Sequence, residues 1–247
     1  MSARDEFESF QKSRVLQYDA GLRSYMQKIY SYMAAALGVT GLISYFSAQS
    51  PDFVNAMYIV QDNVAIGTKP LAWVVMLAPV LLVFLLGFSL PRLSLPAIQI
   101  SFWIYAVLMG LSSTAIFLAF SNESIARVFF ITAGTFGGMS LYGYLTKSNL
   151  SSVGSFMMMG LVGLIIASLV NLFLKSSGLQ FALSIIGIIV FTGLTAFDTQ
   201  RIRQMYDQFS ANEEWAGKAA IWGALTLYLD FINIFLSLLN LFGDRRK

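Results

Sequence analysis

GALTLYLDFINIFLSLLNLFG, residues 223–243, is an apolar stretch with a single charge, Asp230, near its middle. A helix needs ~20 apolar residues to cross a bilayer, and this segment is long enough. An aspartate at the bilayer centre costs on the order of 2.5–3.5 kcal/mol on insertion scales, so such a group faces the protein interior or a wet cavity and defaults to function. Thr226, Asp230, Asn233, Ser237 and Asn240 follow one another at intervals of four, three, four and three. That spacing puts them on one stripe of a helix, which Gly223 extends by a turn. At 1.5 Å per residue the stripe runs roughly 25 Å, most of the hydrocarbon thickness. A helix polar along one side belongs at a bundle centre or along a pore. For the threonine, serine and asparagines, interhelical hydrogen bonding is the competing reading.

The rest of the chain fits lipid as its solvent. Of its 247 residues, 57% are hydrophobic and 12% charged, against ~45–50% and ~25% in soluble domains. Mean hydropathy is +0.68. There is no Cys and no His, which removes disulfides, Cys/His zinc sites and histidine-dependent serine chemistry. The net charge of +3 comes from basic residues spread over loops and tails, as in an ordinary membrane protein, so nucleic acid is not an expected partner.

Residues 93–122, 148–174 and 176–197 contain no charged side chain. Seven spans are expected: Ile29–Phe46, Leu71–Leu90, Ala97–Phe120, Val128–Leu145, Val153–Leu174, Phe181–Gln200 and Ala219–Phe242. The fold class is an all-α, seven-transmembrane-helix bundle. Residues 47–70 and 201–218 are the longer connections. Residues 1–28 are expected as a polar cytoplasmic tail, 29–243 as the seven-helix transmembrane domain and 244–247 as a short basic tail. No small-residue cleavage site precedes the first span, which predicts an uncleaved signal anchor.

Lys and Arg set the orientation. With the N-terminus cytoplasmic, that side carries Arg4, Lys12, Arg14, Arg23, Lys28, Arg92, Lys147, Arg201, Arg203 and Lys218; the other carries Lys69, Arg127, Lys175, Arg245, Arg246 and Lys247. The basic C-terminus argues against this arrangement: either it lies outside despite the rule, or the last segment does not cross fully. Gly134 with Gly138, and Ala34 with Gly38, are small-residue pairs at helical spacing, expected to pack within the bundle.

Asp198 ends the sixth span in GLTAFDTQRIR, with Thr195 on the same face and Arg201 three residues on. A solvated ion pair with Arg201 is the plainer reading. Arg92, the only charge between Lys69 and Glu123, sits at the junction of the second and third spans. Two carboxyls in contact in low dielectric cannot both ionise easily and titrate as a unit. A proton shared by Asp198 and Asp230 would tie the sixth and seventh spans together, with Arg92 as latch partner; losing it would make them repel and open a path. Oxygen ligands suit Ca²⁺, so the same aspartates are the candidate metal-contacting residues. No resident cofactor is expected.

GALTLYLDFINIFLSLLNLFG resembles the signature of the Bax inhibitor-1 family, also called the transmembrane Bax inhibitor motif family, and GLTAFDTQRIR resembles its sixth helix. AGLRSYMQKIYSYM, GTFGGMSLYGYLTKSNLS and IASLVNLFLKS resemble its bacterial branch, so the resemblance covers about residues 20–243. It implies seven helices with the last one central, an inner-membrane location, and a pH-sensitive calcium leak whose sensor is the aspartate pair at Asp198 and Asp230. It also implies an arginine at the second-to-third helix junction, for which Arg92 is the candidate. The second span lacks the acidic residue that some members carry.

Two other functions compete. One is a membrane-embedded regulator of a membrane-bound ATP-dependent protease, gripping it through residues 1–28. The other is an intramembrane aspartyl protease, whose chemistry also uses two carboxyls sharing a proton. Those enzymes carry a G-x-G-D motif, and this chain reads YLDF.

Overall fold

The computed structural model describes residues 3–61 and 64–246, with side-chain surroundings for 18–59 and 67–246. Among the described residues nine helices and one hairpin follow in order: α1 (Ala3–Gln49), α2 (Pro51–Met57), β1 (Tyr58–Gln61), β2 (Val64–Thr68), α3 (Pro70–Ser89), α4 (Leu95–Ser112), α5 (Thr114–Ala119), α6 (Asn122–Leu145), α7 (Ser151–Leu174), α8 (Ser177–Phe209) and α9 (Glu213–Phe242). Seven segments are long and apolar enough to cross a membrane, α4 and α5 together making the third. Their outer faces carry large apolar side chains, with Phe88 82% and Phe173 84% exposed, which only lipid tolerates over so wide a surface.

α9 is the central helix. Of its membrane-length window 56% is buried, against 39% for the next, α8. It packs on α1, α4, α6 and α8. The reason is its composition: Ala219, Ala220, Gly223 and Ala224 give close approach, and Leu227, Tyr228, Ile234 and Leu239 fill the interior. Tyr228 stands edge-on to Tyr105, ring centroids 5.4 Å apart. Thr40 gives its hydroxyl proton to the Ala106 carbonyl (3.0 Å), so at 2.8 Å Tyr228 is the donor to Thr40. One threonine thus joins α1, α4 and α9.

No break in the helix marks residue 28, where the polar tail is expected to end. α1 is continuous over 47 residues, and Leu22, Tyr25 and Met26 are buried in the main core. Met1, Ser2 and Lys247 lie outside the described residues. The connection expected over 47–70 holds α2 and the antiparallel hairpin, which has a bulge between Ile59 and Val60. The connection expected over 201–218 shrinks to residues 210–212, because α8 and α9 both extend past their apolar parts. The third span breaks at Ser113, where the Ser112 and Thr114 hydroxyls hydrogen-bond to the Met109 and Leu111 carbonyls.

The last segment, at 30 residues, is long and apolar enough to cross fully. Beyond Phe242 the chain is tied to the α5–α6 junction: Ser121 N donates to the Asp244 carbonyl (3.0 Å), Asp244 N to Ser124 Oγ (2.9 Å), and Arg246 N to the Ala119 carbonyl (2.9 Å). Arg127 reaches both Asp244 Oδ2 (2.9 Å) and the last α9 carbonyl, Phe242 O (3.2 Å). The C-terminus therefore lies at the opposite end of the bundle from the α8–α9 turn, as an odd number of crossings requires. The other expectation that changes concerns the small-residue pairs. Gly134, Gly138, Ala34 and Gly38 all face outward, and nothing lies within 4 Å of a side-chain carbon built on any of the three glycines.

Candidate functional site

Asp230 lies near the middle of α9 and Asp198 on the neighbouring α8, the most extensively packed pair of helices. They are 4% and 9% exposed. Asp230 Oδ2 is fully buried without a hydrogen-bond partner among the described residues. Nearly every buried polar group in a protein is satisfied, so an orphaned carboxyl oxygen calls for a functional explanation.

Arg92 is not brought to this pair. It is exposed in the α3–α4 turn and forms no ion pair with either aspartate among the described residues. The cation nearest along the chain is Arg201, three residues on in the same helix, which is exposed and forms no ion pair with Asp198 among the described residues. Helical geometry favours it over Arg92, since i and i+3 share a face while the α3–α4 turn lies outside the packed helices.

The polar stripe splits in three. Thr226 donates to Trp222 O (3.0 Å) and Asn233 to Leu229 O (2.8 Å), each within its own helix, and both are half-buried. Thr195, fully buried, likewise donates to Phe191 O (2.7 Å). Ser237 packs opposite Gly187 of α8, where a side-chain carbon would come within 2.6 Å of its Oγ. Asn240 is exposed.

Residues without a motif complete the surroundings. Tyr30 Oη and Ser140 Oγ are 2.5 Å apart, and Ser140 Oγ is 3.0 Å from Thr199 Oγ1, so three hydroxyls link α1, α6 and α8 beside Asp198. Gln200 accepts from Leu150 N (2.9 Å) and donates to Ser148 O (2.8 Å). Arg203 donates to Tyr144 O (2.8 Å) and lies 5.5 Å from that ring's centroid. Together they fix the C-terminal part of α8 to α6 and the α6–α7 loop. Gln200→Leu strands a buried amide and a carbonyl and is expected to cost about 1–3 kcal/mol, read as a lowered melting temperature in detergent.

For calcium, the pair offers two carboxylates; among the described residues no group of three or more acidic side chains gathers. Ca²⁺ takes about 6–8 oxygens, so these aspartates fit a passing ion that keeps most of its water better than a closed cage.

A seven-helix membrane bundle around a central helix with a buried acid pair defines the class. The family model described as inhibitor of apoptosis-promoting Bax1 matches residues 22–247. The chain belongs to this family, the Bax inhibitor-1 family. An uncharacterized protein of Rickettsia prowazekii is 50% identical over 231 residues, 93% of each chain. The inner membrane protein YbhL of Escherichia coli K12 is 40% identical over 238 residues, 94% of this chain and 96% of its own. An uncharacterized membrane protein of Streptococcus pyogenes is 32% identical over 230 residues, 92% and 95% respectively.

Proposed function

We propose that this chain is a pH-sensitive calcium leak channel of a bacterial inner membrane, with its N-terminus cytoplasmic. The observation that carries this reading is the placement of Asp198 and Asp230, buried on adjacent packed helices, one oxygen of the central acid unpartnered. With one proton between them the pair holds α8 to α9. Without it the two charges repel in a medium that screens poorly, and the helices part. The location rests on the Escherichia coli relative, named an inner membrane protein. The chain is read as a non-enzyme, since the α9 aspartate sits in YLDF rather than in a protease motif. The test is purified protein in liposomes loaded with a calcium-reporting dye. Flux should rise from acid to alkaline pH above protein-free liposomes; flux indistinguishable from theirs at every pH would end the reading.

One observation favours a second reading, a membrane-embedded regulator of a membrane-bound ATP-dependent protease. α1 has 47 residues, roughly 70 Å at 1.5 Å each, about twice what the hydrocarbon core needs. The surplus length is what a handle for a partner would need. Leu22, Tyr25 and Met26 pack into the core, so the discriminating deletion stops at residue 17. Loss of protease co-purification on that deletion, with no ion flux in the intact protein, selects this reading.

A further inference from the structure

We propose that the cavity between α1 and α6 binds a phosphate group, supplied by the headgroup of an anionic phospholipid. α1 and α6 meet here through the Tyr30–Ser140 hydrogen bond, and a gap opens beside it. The gap between them holds about 470 Å³, within the range of ligand pockets, ~300–1,000 Å³. Its polar lining is Arg23, Gln27, Tyr30 and Ser140.

The hydroxyl chain fixes what the cavity asks for. Tyr30, Ser140 and Thr199 carry one hydroxyl proton each, and two hydrogen bonds join them. One proton is left over. Thr199 is fully buried and has no other side-chain partner among the described residues. The order that strands no buried donor runs Thr199 to Ser140 to Tyr30, which leaves the Tyr30 O–H to donate into the cavity. The Arg23 guanidinium and the Gln27 amide are donors at the same wall. A second guanidinium, Arg203, lies behind the wall against Tyr144, which lines the cavity; Arg203 itself does not line it. Asp19, one turn before Arg23, and Asp207, which accepts from Tyr18, do not line it. Convergent donors around positive charge select an oxyanion and repel a metal cation, so this cavity is not the mouth of a calcium path.

The remaining walls choose among oxyanions. Met26, Phe136 and Leu141 are apolar and suit a ligand with a hydrocarbon part. Ser140 lies little more than a turn from the end of α6 at Leu145, so the cavity is near the end of a candidate span. Basic pockets between membrane helices hold anionic headgroups.

The test uses the purified full chain in neutral detergent, with thermal unfolding and native mass spectrometry. Phosphatidylglycerol, a diacylglycerol without phosphate, and inorganic phosphate are added separately. Phosphatidylglycerol should raise the melting temperature and stay bound, while diacylglycerol does neither. Arg23 is exposed, so Arg23→Gln folds; it should weaken phosphatidylglycerol about tenfold, the value of one charge-assisted hydrogen bond. Arg23→Lys should restore part of that, and Lys175→Gln at the other end should change nothing. Inorganic phosphate that stabilises with the same Arg23 dependence supports the site and names a soluble source. Diacylglycerol acting as well as phosphatidylglycerol, or Arg23→Gln retaining it at wild-type affinity, overturns the proposal.

Discussion

Asp230→Asn flattens the pH dependence of calcium flux and leaves it at the acid-side level throughout. Asparagine keeps the shape of the side chain and never ionises, so the repulsion proposed to open the path cannot arise. Asp198→Asn should have the same effect, because either change leaves a single acid. The double substitution should add nothing further, since both single changes remove the same pairwise term. Each ~1.4 kcal/mol of repulsion moves a two-state gate tenfold. Two charges at ~4 Å in a surface-like medium interact by about 4 kcal/mol, so a loss of at least about tenfold in the alkaline-to-acid flux ratio is expected. Arg92→Gln should leave the midpoint in place, whereas Arg201→Gln should move it, because Arg201 is the cation nearest Asp198 along the chain. The measurement is dye-reported flux from liposomes at matched protein content, on variants that elute as single species in detergent. An Asp230→Asn protein with the full wild-type pH response would remove the gate.

The spans were legible because the bilayer imposes a length and a composition, and both can be read along a chain. Their ends were less so. Residues 201–209 carry Arg201, Arg203 and Asp207, the composition of a loop, yet they continue α8 beyond its apolar part. Charge marks where a helix leaves lipid and is silent on where it stops. Azimuth was harder still. The Gly134–Gly138 spacing is that of a packing face, but nothing in the spacing says which way the face points, and it points outward. The α9 stripe shows the same limit: Thr226 and Asn233 spend their donors on carbonyls four residues back. Asp230 and Asp198 could be singled out because a carboxyl in lipid is rare. Tyr30, Ser140 and Thr199 could not, since serine, threonine and tyrosine are ordinary in membrane helices and these three are far apart in sequence.

Gly143→Ala destabilises the bundle and disturbs the site at once. A side-chain carbon on Gly143 of α6 would lie 2.1 Å from the Ala196 carbonyl oxygen and 2.8 Å from its carbon. Those atoms are α8 backbone and cannot rotate away, so the helices must separate. Alanine brings about 1 kcal/mol of helix propensity over glycine. Overpacking typically costs about 1–3 kcal/mol and sometimes more, and a backbone clash this short belongs at the upper end. A net loss of ~2 kcal/mol lowers the melting temperature of a chain this size by roughly 4–8 °C. Gly154→Ala meets the Phe197 ring at 2.4 Å, a side chain that can turn, and should cost less. Gly134→Ala and Gly138→Ala meet nothing and should be neutral or slightly stabilising, which separates the contact from any general effect of replacing glycine in α6. Ala196 and Phe197 immediately precede Asp198, so the separation that relieves the Gly143→Ala clash shifts α8 where it carries its carboxyl toward α9. The substituted protein should therefore also show an altered flux at acid pH, where the proposed shared proton would hold the two helices together. A Gly143→Ala protein that melts with the wild type would mean that α6 and α8 are farther apart in the membrane than the structure places them.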